Sequence, residues 1–133
     1  RGKKLAYVAD PTSYVSFQHA VQAILADEGI PVLCHSLNYL LSDQELQELV
    51  ADFKQAVGSH VAAIETHYRH YTEEQVQYLK ILAHQLLESV ASDYHGNGTS
   101  DTLKYSFSAE IIETLLKAHE NQKNLSEHKE DSL

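Results

Sequence analysis

The sequence predicts a mainly α fold: a compact bundle of four to five helices, with a short two-stranded β ribbon formed by residues 4–8 and 102–107. Three observations carry that expectation. Apolar residues recur at helical spacing along much of the chain. Two capping boxes, Ser42-x-x-Glu45 and Thr72-x-x-Gln75, mark helix starts, because hydroxyl and acid or amide satisfy each other's backbone donors. The 133 residues, 43% hydrophobic and 22% charged, suit one domain with one core: residues 1–120 as the helical domain and 121–133 as a polar C-terminal tail.

Taken in order, "KKLAYVAD" is apolar at Leu5, Ala6, Tyr7 and Val8 and reads as a buried strand or extended lead-in. Asp10-Pro11 then supplies a capping carboxylate and a proline for a first turn. Tyr14, Phe17, Val21 and Ile24 form the stripe of that helix, and Gly29 ends it. Pro31 opens a shorter helix, "PVLCHSLNYLL", with Leu33, Leu37, Leu40 and Leu41 on one side. Ser42 begins the longest helix, expected over residues 43–71. Thr72 begins the next, carrying Val76, Leu79, Ala83, Leu86 and Val90. "HGNGTS" is a loop. "TLKYSF" alternates in the manner of a half-buried strand and pairs with "KLAYV" in the expected ribbon. A last helix starts near Ser108, with Ile111, Ile112, Leu115 and Leu116 apolar.

Along residues 43–71, Leu46, Val50, Phe53, Val57, His60, Ile64, His67 and Tyr71 are spaced alternately four and three apart. This heptad-like stripe is the pattern of a helix-to-helix seam, here with two histidines in apolar positions. It is the expected contact surface for a protein partner or a second copy. His60 and His67 lie two turns apart, about 10 Å along a helix axis, too far to share one metal ion unaided. His67 and His70 are close enough to do so. Neither HExxH nor Glu-x-x-His occurs, so zinc hydrolysis and di-iron chemistry find no motif. No cofactor or metal is expected. Boundary histidines packed beside tyrosines are the plainest reading. Protonation of an imidazole in a seam would also make a pH switch.

The formal net charge of −9 argues against nucleic acid and anionic membrane surfaces as partners. No apolar run approaches the length of a membrane span. Cys34 is the only cysteine, which suits a reducing, cytoplasmic setting. With no methionine at all, the chain reads as a fragment or a processed form. Cys34 and His35 are sequence neighbours, which on a helix point about 100° apart and make no nucleophile and base pair.

"LKILAHQLLESVAS" resembles the helix of histidine-phosphotransfer domains through Ala83-His84-Gln85-Leu86. The resemblance implies His84 as a phospho-acceptor. The Lys-Gly that follows in that family is Leu87-Glu88 here, and Glu88 would repel phosphate. The expected function is therefore a non-catalytic helical regulatory domain that docks a partner or itself through residues 43–71. The alternatives are a small-ligand or pH sensor with a His/Tyr-lined pocket and a phosphotransfer module at His84. No set of nucleophile, base and metal ligands is visible, so a conventional enzyme is not expected.

Overall fold

The first helix begins where a hydroxyl can hold it. Ser16 Oγ accepts from the His19 N–H at 3.3 Å and starts α1, Phe17–Ala26. The computed structural model describes residues 15–93 and 108–130. After α1 the chain forms a two-residue strand, β1 (Val32–Leu33), and a 3₁₀ turn, Ser36–Tyr39. Then come α2 (Asp43–Val57), β2 (Ala63–Tyr68), α3 (Glu73–Leu82), β3 (Leu87–Ala91) and α4 (Ala109–Glu130).

The three strands form one parallel sheet in the order β1-β2-β3. Val32 and Leu33 pair with Ala63 and Ile64, and Ala63, Ile64 and Glu65 pair with Leu87, Glu88 and Ser89. Both capping boxes are present. Ser42 Oγ accepts from the Glu45 N–H while the Glu45 carboxylate accepts from the Ser42 N–H at 2.8 Å. Thr72 and Gln75 repeat the exchange.

The fold is thus mixed α/β and corrects the expected helical bundle: among the described residues, four helices accompany a three-stranded parallel sheet. The expected ribbon of residues 4–8 and 102–107 lies outside the described residues, as does the Asp10-Pro11 helix start. Three expected helices are broken by strands. "PVLCHSLNYLL" is β1 and a 3₁₀ turn. The helix expected over 43–71 stops at Val57, where Gly58 takes φ 64° and ψ −124°, a region open to glycine and costly for other residues. The helix after Thr72 stops at Leu82, and Leu87–Ala91 is β3. The last helix runs through Glu130, into the stretch expected to be a tail.

Burial accounts for the difference. Ala63, Ile64, Glu65 and Thr66 are all 0–1% exposed, so β2 is covered on both faces and shows no alternation of apolar and polar residues. The core joins Val21 of α1, Leu46, Val50, Phe53 and Val57 of α2, Leu33 and Ile64 of the sheet, and Leu79 of α3. Each such fully buried aliphatic or aromatic side chain stabilises the fold by about 1.5–3 kcal/mol. Phe17 stands tilted against Phe53, with ring centroids 6.0 Å apart, and ties α1 to α2.

Candidate functional site at the carboxyl edge of the sheet

In open parallel sheets, ligands bind beyond the carboxyl ends of the strands. Polar side chains gather there in this chain. His35 follows the end of β1 by two residues, and Asp93 follows the end of β3 by two. Both adopt left-handed backbone, φ 53° and 55°. That region is uncommon for residues other than glycine, although His and Asp enter it more readily than most. Such strained residues concentrate at ligand and active sites. Glu65 lies between them on β2.

The Glu65 carboxylate is 1% exposed. Its Oε1 accepts from the His35 N–H at 3.3 Å and lies 3.4 Å from the ring Nδ1 of the same residue. The other ring nitrogen, Nε2, is 3.7 Å from Asp93 Oδ1. The imidazole therefore stands between two carboxylates. Tyr68 donates its hydroxyl to Asp93 Oδ2 at 3.0 Å and presents its ring edge-on to His35, with centroids 5.0 Å apart. Tyr71 and His70 pack edge-on against Tyr68 at 5.2 and 5.4 Å.

Burial shifts Glu65, Tyr71 and Cys34. It pushes the Glu65 carboxyl above its ordinary range; the charge and N–H of His35 pull it part of the way back, and Asp93 pushes it up again. Burial raises Tyr71 to about 12. Partial desolvation of the sulfur raises the Cys34 thiol as well, although the residue as a whole is exposed, and the charge of Glu65 adds to it.

A β-bulge places the parts. Glu65 pairs with Ser89, but His67, and not Thr66, pairs with Val90, and Tyr68 pairs with Ala91. Side chains alternate along a regular strand, so Glu65 and Tyr68, three apart, would point to opposite faces. The extra residue brings both to the face shared with Ser89 and Ala91. His67 turns to the other face, the side of Glu88 and Ile64. There Thr66 Oγ1 donates to Glu88 Oε2 at 2.9 Å, and it also lies 2.9 Å from His67 Nδ1. The hydroxyl has one hydrogen, so the second contact requires His67 to donate from Nδ1.

The residues expected to form a seam are divided among different places. Leu46, Val50, Phe53 and Val57 are 2–3% exposed and Ile64 is 0% exposed, all within the core. His60 is exposed beyond the end of α2, with Nδ1 3.0 Å from the Val57 carbonyl. His67 is half-buried beside Glu88, and Tyr71 packs at the core margin next to Tyr68. His84 is exposed and follows Ala83, the C-cap of α3, so it lies in the turn before β3 and not on a helix. Cys34 is exposed.

His35, Glu65, Tyr68 and Asp93 were not singled out as a site by sequence reasoning. The available signal was Glu65: a carboxylate in "VAAIETHY", a run otherwise fit for a doubly buried strand. The set offers oxygen and nitrogen donors of types that bind zinc or manganese. The ring nitrogens here each face a different carboxylate, and among the described residues no group of three or more His, Cys, Asp or Glu is arranged to hold a metal ion. The geometry provides hydrogen-bond recognition: His35 Nδ1 is buried beside the Glu65 carboxylate and makes no hydrogen bond of its own. Among the described residues no helix is long and apolar enough to cross a membrane. No protein-family model matches the chain, and no curated protein matches it in sequence.

Proposed function

We propose that this chain is a small-ligand-binding α/β domain whose site lies at the carboxyl edge of its parallel sheet, with Glu65, His35 and Asp93 as the polar centre and Tyr68 and Tyr71 as its aromatic wall. One observation carries the reading: a carboxylate 1% exposed, on the central strand, meets an imidazole and a second carboxylate supplied from the ends of the two flanking strands. Burying a charge is costly, and the one hydrogen bond this carboxylate accepts, from the His35 N–H, leaves most of its acceptor capacity for a further partner. A carboxyl raised by burial and set against an imidazole suits recognition of a polar group and proton transfer to it. Docking through α2 is less well supported, because its apolar face is covered by the chain's own β2 and α1.

The test is a titration of the whole chain with inorganic phosphate and a set of small amines and carboxylates, followed by the side-chain resonances of His35, Tyr68 and Tyr71. Saturable shifts at these rings that disappear in Glu65→Gln support the proposal. Shifts that map elsewhere, or that survive the substitution, reject it.

A further inference from the structure

A cavity of about 420 Å³ opens beside β3, bounded by His67 of β2, Lys80 of α3, Leu87 and Glu88 of β3 and the first turns of α4. That volume falls within the range of small-molecule pockets. The polar groups along it are already balanced against each other. Lys80 Nζ and His67 Nδ1 each lie 3.5 Å from Glu88 Oε2, and Thr66 bonds the same oxygen. All three contacts fall on Oε2. Glu88 Oε1 is left as an acceptor and Lys80 keeps spare donors, and the ring of His67 is part of the same lining. Ser108 adds a hydroxyl, and Leu87 and Ile111 add apolar surface.

The wall therefore offers donors and acceptors side by side without a single dominant charge. A charged ligand would have to compete with the Lys80–Glu88 pair. Glu110 adds one more charge, but it is exposed and screened by water. A hydroxyl group both donates and accepts, so a ligand carrying several can meet Glu88 and Lys80 together while its C–H faces rest on Leu87 and Ile111. We propose that this cavity is a second binding site, separate from the Glu65 centre, for a neutral polyhydroxylated small molecule such as a monosaccharide or cyclic polyol.

The probes are D-glucose, sorbitol and myo-inositol, with inorganic phosphate and methylammonium as charged counterparts, each titrated into the whole chain. The readout is the amide and methyl resonances of Leu87 and Ile111 and the ring of His67. At least one polyol is expected to give saturable shifts there, and the charged probes none. Glu88→Gln is expected to weaken that binding about tenfold or more, as loss of a hydrogen bond to a charged group does. Ile111→Phe, which fills space and spares the polar groups, is expected to abolish it; Lys80→Gln, at an exposed position, repeats the weakening should either variant lose its native spectrum. Absence of saturable shifts with all three polyols overturns the proposal. So does a response to phosphate or methylammonium in their place, or polyol binding unchanged in the folded variants.

Discussion

Replacing Phe53 with alanine tests whether the α2 face is the core of this chain or a surface meant for another molecule. Phe53 is 2% exposed and sits at the junction of α1, α2 and the sheet. Phe to Ala changes at such sites cost about 3–5 kcal/mol, from lost transfer energy and the cavity left behind. The tilted contact with Phe17 at 6.0 Å contributes about 0.5–1.5 kcal/mol beyond area. Domains of this kind are stable by only about 5–15 kcal/mol, so the variant should retain little margin. Ile81, on α3, is 74% exposed and serves as the control: Ile81→Ala should change stability by less than about 0.5 kcal/mol. Urea unfolding followed by circular dichroism at two protein concentrations is the assay. With a slope of about 2 kcal/mol per molar, the Phe53→Ala midpoint should fall by about 2 M at both concentrations. A fall below about 0.5 M, or one that depends strongly on concentration, would refute the assignment of this face to the intramolecular core.

Glu65→Gln should stabilise the protein at neutral pH, because the carboxyl is raised mainly by burial and the amide keeps an acceptor for the His35 N–H. A raised acid binds its proton more tightly when folded, so wild-type stability should fall as pH rises through its folded-state pKa. Melting curves of both proteins should converge at acidic pH and separate above it; a variant less stable at pH 7.5 would contradict this. Spectrophotometric titration should show one tyrosine ionising only near pH 12, and Tyr71→Phe should remove that late phase. The sign is the same: stability is lost as pH climbs from the ordinary tyrosine range toward 12. Ser42→Ala and Thr72→Ala should each cost about 1 kcal/mol in thermal or urea unfolding, since each hydroxyl accepts from the first turn of its helix.

Helix starts were the most legible part of the sequence. Ser42 and Thr72 depend on side chains within three residues, and both caps form as expected. Strand positions depend on what lies above and below them. "VAAIETHY" showed no two-residue alternation because β2 is buried on both faces, and the four-three spacing of Val57, His60, Ile64 and His67 imitated a helix across the break at Gly58. A longer-range signal was present: the two capping boxes are thirty residues apart, the length of a strand and crossover helix repeated. The site was less legible still. His35, Glu65 and Asp93 are far apart in sequence and meet only because three parallel strands end together. The bulge at Thr66, which sets Tyr68 on the side of Glu65, has no local sequence mark.

The brevity of β1 has a kinetic consequence. β2 and β3 share five registered pairs, whereas β1 is held to β2 by two. Amide protons near Ile64 and Ser89 should therefore exchange only through global unfolding, and those around Leu33 and His35 through cheaper local opening. Each such opening would carry the imidazole away from Glu65 while the carboxylate stays fixed on its strand. The two halves of the polar centre thus belong to units of unequal protection, and a bound ligand that bridges them should slow exchange at His35 far more than at Glu65.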